Sequence, residues 1–436
     1  MKKIELLAPA GSIEKMKYAF AYGADAVYLG VPAFSMRCRV NNFTMDQVQE
    51  AIEYAHSLKK KIYVTINIVA HNYHLKEVPK HLKLLNSWRP DGIIVSDPGM
   101  MELVKKYAPK CDIHLSTQAN ATNWATVKFW KKQGVKRVVL GREVSIEEIK
   151  EIHKQAPGVE IEHFVHGAMC MSYSGRCLLS AWLSSRSANL GDCVQPCRWK
   201  YNPKQVELNV ISAEVEEPMR PGMKIPLEED MNGTYILNSK DLCLIEYLPE
   251  IIAAGVISLK IEGRTKSAAY VATVIKAYRE ALDYLKNHAA PGGQSVPAQN
   301  LARLRSIKKN VLDNLVHRGY TVGFAFGRGQ VEQNLSDSHV GSEEQFVGEI
   351  AGVAKHPVAP NKKGKYFIKF RAHNAIRLGD VIRIMQPKNK DIKFTIKKLY
   401  NEKGEEVESA HGGTGKDMFF ESNKAVENLS IMFKIK

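Results

Sequence analysis

The chain has 436 residues, of which 44% are hydrophobic and 25% charged; such a composition supports a large core and excludes collagen-like, low-complexity and disordered proteins. Its 62 Lys and Arg exceed its 46 Asp and Glu, and the resulting net charge of +16 either serves solubility alone or indicates contact with a polyanion such as a nucleic-acid backbone. No apolar run approaches the ~18 residues of a membrane span, and no secretory signal pattern is visible, so we expect a cytoplasmic protein of two or three domains without membrane contact.

Short β-rich segments alternate with longer amphipathic segments from the start of the chain to about residue 262. They predict eight strands: Ile4–Ala8, Ala26–Gly30, Ile62–Asn67, Gly92–Asp97, Ile113–Thr117, Arg137–Gly141, Ile161–His166 and Ser258–Glu262. They also predict six helices: Ser12–Tyr22, Thr44–Leu58, Leu75–Trp88, Pro98–Tyr107, Asn120–Gln133 and Ser145–Gln155. This alternation predicts an α/β fold with a (β/α)8 TIM-like barrel, and a doubly wound parallel sheet is the alternative.

About 90 residues separate the seventh and eighth predicted strands, which indicates an insertion at about 168–240. Its part from Trp199 to Thr234 is expected to form loops or a hairpin. We therefore predict a barrel domain over 1–288 that ends in a long helix, Ser267–Asn287. A linker and a helical segment follow over 289–340, with a linker at Ala289–Gln299 and a helix near Leu301–Val316.

Beyond residue 341 the hydrophobic period changes to two, which is typical of β-strands. We expect a small antiparallel β-barrel over 341–436, built from the segments Phe346–Val353, Lys365–Arg371, Asp380–Met385, Ile392–Tyr400 and Leu429–Ile435.

Polar residues stand at the predicted carboxyl ends of many barrel strands, where such barrels carry their active sites. Each of them alone could be a cap or turn residue. Taken together they make Glu262, His166 and Asn67 candidate catalytic residues, although His166 could equally be a core histidine. Arg142 and Gln118 stand at equivalent ends and are candidate substrate-binding residues.

The segment from Glu262 to Ser267 follows the last predicted strand and opens a helix. Backbone N–H groups at a helix start favour anions, and Arg264 and Lys266 add positive charge. We expect these two residues, with Ser267, to bind a phosphate or a carboxylate; the alternative is a solvated turn.

Four of the seven cysteines lie within 28 residues: Cys170, Cys177, Cys193 and Cys197. In a reducing compartment this clustering indicates a metal site rather than disulfides. Zinc ribbons need tight pairs in both halves of the set, and here only the last pair, with three residues between its members, is tight. The spacing therefore favours an iron–sulfur cluster over zinc, and a site without metal is the third possibility. Cys38, Cys111 and Cys243 are isolated and are expected to be ordinary buried residues.

Several motifs now make the chain recognisable. The segment Glu162–Ser180 (EHFVHGAMCMSYSGRCLLS) resembles the signature of the collagenase-like peptidase family, peptidase family U32. Leu6–Gly11 (LLAPAG) and Ser258–Ser267 (SLKIEGRTKS) are similar to other segments of that family. The resemblance extends over nearly the whole chain, whereas the GxSxG and HExxH motifs of hydrolases are missing.

Within that family the chain is most similar to members that hydroxylate the wobble uridine of tRNA to 5-hydroxyuridine with the help of prephenate. The resemblance implies a [4Fe–4S] cluster on Cys170, Cys177, Cys193 and Cys197, with Cys243 as an alternate ligand. It also implies the tRNA anticodon arm as partner, with the prephenate carboxylates near Arg264, Lys266 and Arg142. Relatives that act on ribosomal RNA or a quinone ring, and a peptidase activity ascribed to some members, are the alternatives.

Overall fold

The computed structural model describes residues 3–32, 34–35, 43–170, 172–174, 176–199, 237–288, 297–327, 332–334, 339–354, 366–413 and 415–436. The expected loops or hairpin of 199–234 lie outside them except for Trp199, as do Cys38 and most of the predicted linker at 289–299. Within the described residues, no helix is long and apolar enough to cross a membrane.

A closed barrel of eight parallel strands forms the larger part of the protein. The described residues before the C-terminal domain contain the strands β1 (Glu5–Pro9), β2 (Ala26–Gly30), β3 (Lys61–Ile66), β4 (Gly92–Val95), β5 (Ile113–Leu115), β6 (Arg137–Val139), β7 (Glu160–Ala168), β8 (Asp241–Cys243), β9 (Val256–Ile261) and β10 (Tyr320–Thr321). Strands β1 to β7 pair in sequence, and β9 pairs with both β7 and β1 and so closes the barrel. The predicted (β/α)8 barrel is thereby confirmed.

Most helices follow the barrel strands and cover the outside of the barrel. They are α1 (Ile13–Ala21), α2 (Met45–Ser57), α3 (Val78–Trp88), α4 (Pro98–Tyr107), α5 (Trp124–Lys132), α6 (Ile146–Gln155), α7 (Leu179–Ser184), α8 (Leu248–Ala253), α9 (Ala268–Asn287) and α10 (Ala298–Ile307). Polar caps fix several of their first turns: Ser12 accepts a hydrogen bond from the Lys15 N–H, and Ser145 forms a capping box with Glu148. These caps satisfy amide groups that the helix leaves without an internal partner.

Two short strands extend the sheet beyond the barrel. Strand β8 runs antiparallel to the end of β7, and β10 runs parallel to β8. They are held by Arg318, which donates to Asp241 from Nη2 at 2.6 Å and from Nε at 3.0 Å. The sequence did not predict either strand, because a three-residue and a two-residue strand carry no hydrophobic period of their own.

The C-terminal domain is a curled antiparallel sheet. Its strands are β11 (Glu344–Ala354), β12 (Tyr366–Ala372), β13 (Ile376–Arg377), β14 (Val381–Met385), β15 (Ile392–Thr395), β16 (Leu399–Tyr400), β17 (Glu406–Val407), β18 (Ser409–Ala410), β19 (Asp417–Ser422) and β20 (Ile431–Ile435). Eight of them form one sheet in the order β15-β14-β20-β11-β12-β19-β16-β17, and β13 pairs with β18. The prediction of an antiparallel β domain is confirmed, but it missed β19 because Phe419 and Phe420 interrupt a strict alternation.

This domain packs against α1 and α9 of the barrel. Tyr22 donates a hydrogen bond to the carbonyl oxygen of Met385 at 2.7 Å, and Lys276 contacts Asp391 at 2.7 Å. Met385, Ile431 and Phe433 belong to the same hydrophobic core as the barrel. The two domains therefore share one apolar interface.

Candidate functional site

An open cavity lies at the carboxyl end of the barrel. Its lining residues come from the ends of β2, β3, β4, β6, β7 and β9, from the turn after β5, and from the insertion after β7. Its mouth is open to solvent, and the empty space, counted with this mouth, is about 1280 Å³. It is the position at which (β/α)8 barrels carry their active sites.

The barrel interior below the cavity contains charged side chains, where most such barrels contain branched apolar ones. Glu162 is fully buried and accepts hydrogen bonds from Arg137 at 3.1 Å and from Lys260 at 2.6 Å. Ser258 donates to both Glu162 and Glu5 at 3.0 Å. A buried charge is tolerated only when it is paired and hydrogen-bonded in this way.

Electrostatics keep this network ionised. Burial alone would raise the pKa of Glu162, but Lys260 and Arg137 lower it to about 2. Burial lowers the pKa of Lys260, and the contact with Glu162 opposes this shift. Glu162 is therefore a carboxylate at neutral pH, and it holds the two cations in place.

Lys260 also forms part of the cavity floor, together with two aromatic rings. Its Nζ lies 4.4 Å from the centre of the Tyr28 ring and 5.5 Å from that of Phe164. Arg264 Nη1 donates to Thr65 Oγ1 at 3.3 Å on the same floor. The floor is thus a cationic surface between aromatic walls, which suits an anionic group.

Arg142 forms an ion pair with Glu262 at the side of the cavity. Its guanidinium carbon lies 3.8 Å from the centre of the Phe164 ring, and its Nη1 donates to Ser174 Oγ at 3.2 Å. Burial opposes the charge of Arg142, but Glu262 and other acidic neighbours raise its pKa. Arg142 is therefore a permanent cation that joins the barrel to the insertion.

A carboxamide and hydroxyl cluster occupies another part of the lining. Asn67 Nδ2 donates to Gln118 Oε1 at 2.6 Å, and Ser116 Oγ donates to the same oxygen at 2.7 Å. Asn67 Nδ2 also lies 3.2 Å from Ser116 Oγ. Because Asn67 and Ser116 are buried, their two hydrogen bonds to Gln118 Oε1 fix the orientation of the Gln118 side chain.

The four clustered cysteines, Cys170, Cys177, Cys193 and Cys197, all line this cavity, and none is in a disulfide. Cations lie near them: Arg142 is close enough to interact electrostatically with Cys170, and Arg198 and Arg318 with Cys197. The backbone N–H of Gln195 donates to Cys193 Sγ at 3.3 Å. Burial, with Cys170 and Cys193 nearby, raises the pKa of Cys197, and Arg198 and Arg318 oppose this shift. Positive charges and N–H donors favour the thiolate form, which is the form that binds metals.

Among the described residues, no group of three or more His, Cys, Asp or Glu side chains is arranged to hold one metal ion.

His166 lies away from the cavity. It is buried among the rings of Tyr270, Tyr278 and Tyr320, at 5.6–6.0 Å between ring centres. Burial lowers its pKa to about 3. A β-bulge causes this placement. Phe164 pairs with Lys260, but the next two residues of β7 face the single residue Ile261 of β9. His166 therefore pairs with Ile261, whose side chain points out of the barrel.

Of the other predicted site residues, Glu262, Asn67, Arg264, Arg142 and Gln118 line the cavity, and Lys266, Ser267 and Cys243 do not. Lys266 is near Asp241 and Arg318, and Ser267 caps α9 by accepting from the Tyr270 N–H at 3.2 Å. Cys243 is buried, and burial raises its pKa to about 12.

Lys260 is the main site residue that the sequence interpretation missed. The alternation Ser258, Lys260, Glu262 along β9 was a usable signal, because alternate residues of a barrel strand point to the same side. Polar residues at three successive inward positions indicate a strand whose interior face is polar.

Comparisons with known proteins agree over almost the whole chain. The profile of peptidase family U32 matches residues 11–335, and that of the peptidase family U32 C-terminal domain matches residues 342–432. The chain is 42% identical over 441 residues to tRNA hydroxylation protein P of Escherichia coli (strain K12), and the alignment covers 94% of this chain and 92% of that protein.

Two further relatives are informative. tRNA hydroxylation protein P1 of Bacillus subtilis (strain 168) is 36% identical over 411 residues, which cover 94% of this chain and 90% of that protein. The 23S rRNA 5-hydroxycytidine C2501 synthase of Escherichia coli (strain K12) is 33% identical over 354 residues, which cover 81% of this chain and 50% of that protein. The similarity thus includes the barrel, the cysteine-bearing insertion and the C-terminal domain.

Proposed function

The chain belongs to peptidase family U32, and from that membership we propose that it is a tRNA-modifying enzyme that hydroxylates a base. The product we propose is 5-hydroxyuridine at the wobble position, with prephenate as cosubstrate and a [4Fe–4S] cluster as cofactor. The observation that carries the proposal is the meeting of four cysteines and a cationic floor in one open cavity, in a chain whose relatives are named for tRNA hydroxylation.

Cys170, Cys177, Cys193 and Cys197 are the proposed cluster ligands. Such a cluster would supply electron transfer or a Lewis-acidic iron beside the substrate. The cationic neighbours Arg142, Arg198 and Arg318 support this proposal, because a cluster with four thiolates carries negative charge that needs compensation. The N–H donor of Gln195 supports it as well, since hydrogen bonds to ligand sulfurs tune the potential of such centres.

The cavity also suits a small dianion. Its lining carries three cations, Arg142, Lys260 and Arg264, and one carboxylate, Glu262. Arg142 is paired with Glu262, and Lys260 is paired with Glu162 below the cavity floor. Lys260 and Arg264 are the two cations of that floor. We propose that these two bind the carboxylates of prephenate, and that the Tyr28 and Phe164 rings contact its six-membered ring.

The target base would enter from the open side of the cavity. A base in an anticodon loop is single-stranded and unstacks at low cost, so it can enter a pocket that a paired base cannot. The net charge of +16 supports binding of the RNA backbone. The C-terminal domain packs against α1 and α9 and extends the surface that could contact the anticodon arm. Asn67 and Gln118 are the lining residues whose polar groups suit a base edge.

A peptidase is the alternative activity, since the family carries that name. Serine and cysteine peptidases need a general base next to the nucleophile, and this base is most often histidine. No histidine lines the cavity among the described residues. A peptidase would cleave gelatin without metal and would keep this activity after substitution of the clustered cysteines.

The test of the proposed function is mass spectrometry of tRNA nucleosides from a deletion strain. We expect 5-hydroxyuridine and its derivatives to disappear in a background that lacks any second pathway, and to return with the wild-type chain. The Cys170→Ala variant should fail to restore them, whereas Cys111→Ala, at a buried cysteine outside the cavity, should succeed. Unchanged 5-hydroxyuridine in the deletion strain would refute the proposal.

The proposed cofactor is tested on protein purified without oxygen. We expect about four iron and four sulfide per chain and a brown colour in wild type and Cys111→Ala, and a strong loss in Cys170→Ala and Cys197→Ala. One equivalent of zinc without iron would show the cofactor assignment to be wrong.

A further inference from the structure

The orientation of the Gln118 side chain determines which hydrogen-bonding groups it can offer to a ligand. Its Oε1 already accepts from Asn67 Nδ2 and from Ser116 Oγ, at 2.6 and 2.7 Å. Among the described residues, no hydrogen bond is made by its Nε2. Because Gln118 lines the cavity, its two N–H donors are available to a bound molecule.

We propose that Gln118 Nε2 donates a hydrogen bond to the C4 carbonyl oxygen of the target base and thereby selects uracil over cytosine. The proposal rests on the proposed function, because it assumes that a pyrimidine base enters this cavity. It adds the group that distinguishes the two pyrimidines.

The two bases differ in the chemistry of the substituent at C4. Uracil has an oxygen that accepts hydrogen bonds, whereas cytosine has an amino group that donates them. A donor fixed in the protein therefore pairs with uracil and faces another donor in cytosine, so that both groups lose hydrogen bonds that water would have supplied. The C4 position also adjoins C5, the carbon that would be hydroxylated, so a contact at C4 helps to position the reacting atom.

The surroundings of Gln118 make it a rigid donor. It belongs to a short 3-10 turn, Thr117–Ala119, in which the Ser116 hydroxyl also accepts from the Gln118 N–H at 3.4 Å. Thr117 Oγ1 donates to the carbonyl oxygen of Leu140 at 3.2 Å and so ties the turn to the end of β6. A 180° rotation of the carboxamide would place its amino group against the Asn67 amino group, which can only donate, so the orientation with Oε1 toward Asn67 is favoured. A donor held in place before binding loses little entropy on binding.

The experiment measures the affinity of the full chain, purified without oxygen, for three anticodon stem-loop RNAs. They carry uridine, cytidine or the riboside of 2-pyrimidinone, which lacks any C4 substituent, at the wobble position. We compare wild type with Gln118→Glu, which keeps the accepting oxygen and replaces the amino group by a second oxygen. The matched control is Gln133→Glu, which makes the same change beyond the end of α5, outside the cavity lining.

We expect wild type and Gln133→Glu to bind the uridine RNA about 10- to 100-fold more tightly than the other two RNAs. In Gln118→Glu this preference should be lost, and cytidine should become the better ligand because a carboxylate accepts from its amino group. A thermal unfolding curve confirms that the variant folds. An unchanged preference in Gln118→Glu, or equal wild-type affinity for the uridine and 2-pyrimidinone RNAs, would overturn the proposal.

Product formation is measured on the same wild-type samples with prephenate, by mass spectrometry of the uridine RNA. A wild type that discriminates between the RNAs by affinity but forms no 5-hydroxyuridine would contradict the proposed function and would still support the role of Gln118. A wild type that forms 5-hydroxyuridine but binds the RNAs with equal affinity would contradict the role of Gln118 and would still support the proposed function.

Discussion

Lys260 Nζ lies 2.6 Å from Glu162 Oε1 inside the barrel, and both side chains are almost completely shielded from water. Glu162 also binds Arg137, whereas Lys260 reaches the cavity floor above. This contact therefore joins the structural core of the barrel to the proposed active site. A buried pair of this kind is not strongly stabilising by itself, but the loss of one partner leaves an uncompensated charge.

The first prediction concerns stability. Glu162→Gln should lower the free energy of unfolding by about 3–5 kcal/mol, because Arg137 and Lys260 lose the carboxylate that compensates them. The control is Glu147→Gln, whose carboxylate is 80% exposed and, among the described residues, is paired with Lys150 alone. This substitution should change stability by less than about 1 kcal/mol. Urea denaturation measures both, and equal effects of the two substitutions would show that the buried network is not needed.

The second prediction separates two lysines. Lys260→Met should raise the KM for prephenate, the proposed cosubstrate, by about 10-fold or more, because it removes a cation that we propose to bind a prephenate carboxylate. Lys266→Met should have a smaller effect, because Lys266 does not line the cavity. Steady-state kinetics on folded variants measure both, with Arg303→Met on the exposed face of α10 as control. A larger effect at Lys266 would show that the anion binds at the start of α9 instead.

The third prediction concerns pH. Burial lowers the pKa of His114 to about 3, of His163 to about 4 and of His166 to about 3. The unfolded chain binds protons at these residues below about pH 6.5, whereas the folded chain does not, so stability falls as the pH drops from about 6.5 to about 4. Each histidine contributes about 1.4 kcal/mol per pH unit within this window.

His166→Phe tests this relation, since an apolar ring suits the surrounding tyrosines. We expect the slope of unfolding free energy against pH, measured with urea between pH 6 and pH 5, to decrease by about 1.4 kcal/mol per unit. His411→Phe, at an exposed position, should leave the slope unchanged. The prediction fails if both variants keep the wild-type slope.

The fourth prediction concerns the insertion that carries the cysteines. Glu143 Oε1 accepts from the backbone N–H of Ser174 at 2.8 Å and from its hydroxyl at 3.2 Å. Glu143→Ala removes both bonds, so local opening of the insertion should become about 5- to 30-fold more frequent. Trypsin cleavage at the exposed Arg176 should accelerate accordingly, whereas Glu151→Ala on α6 should cleave at the wild-type rate. Equal rates for all three proteins would show that Glu143 does not restrain this segment.

The sequence determined most of the fold, because the signals for its elements are local. Ala26–Gly30 and Pro98–Tyr107 have the predicted bounds, since a buried apolar run and a proline after an aspartate cap define their ends. The carboxyl end of each strand can also be located in the sequence, and in a parallel barrel all these ends lie at the same face. For this reason Asn67, Gln118, Arg142, Glu262 and Arg264 could be assigned to one site before their distances were known.

Only the tertiary structure decided which side chains point into that site. His166 and Lys260 both lie on strands that surround the cavity, but the extra residue of β7 beyond Phe164 turns His166 outward and leaves Lys260 facing inward. A bulge depends on the pairing of two strands that are about 90 residues apart in the chain, so neither strand predicts it alone. In the same way, composition revealed an excess of positive charge. Only packing showed that Glu162, Arg137 and Lys260 compensate each other inside the barrel. The physical reason is that hydrogen bonding of buried charges depends on distances that the sequence does not contain.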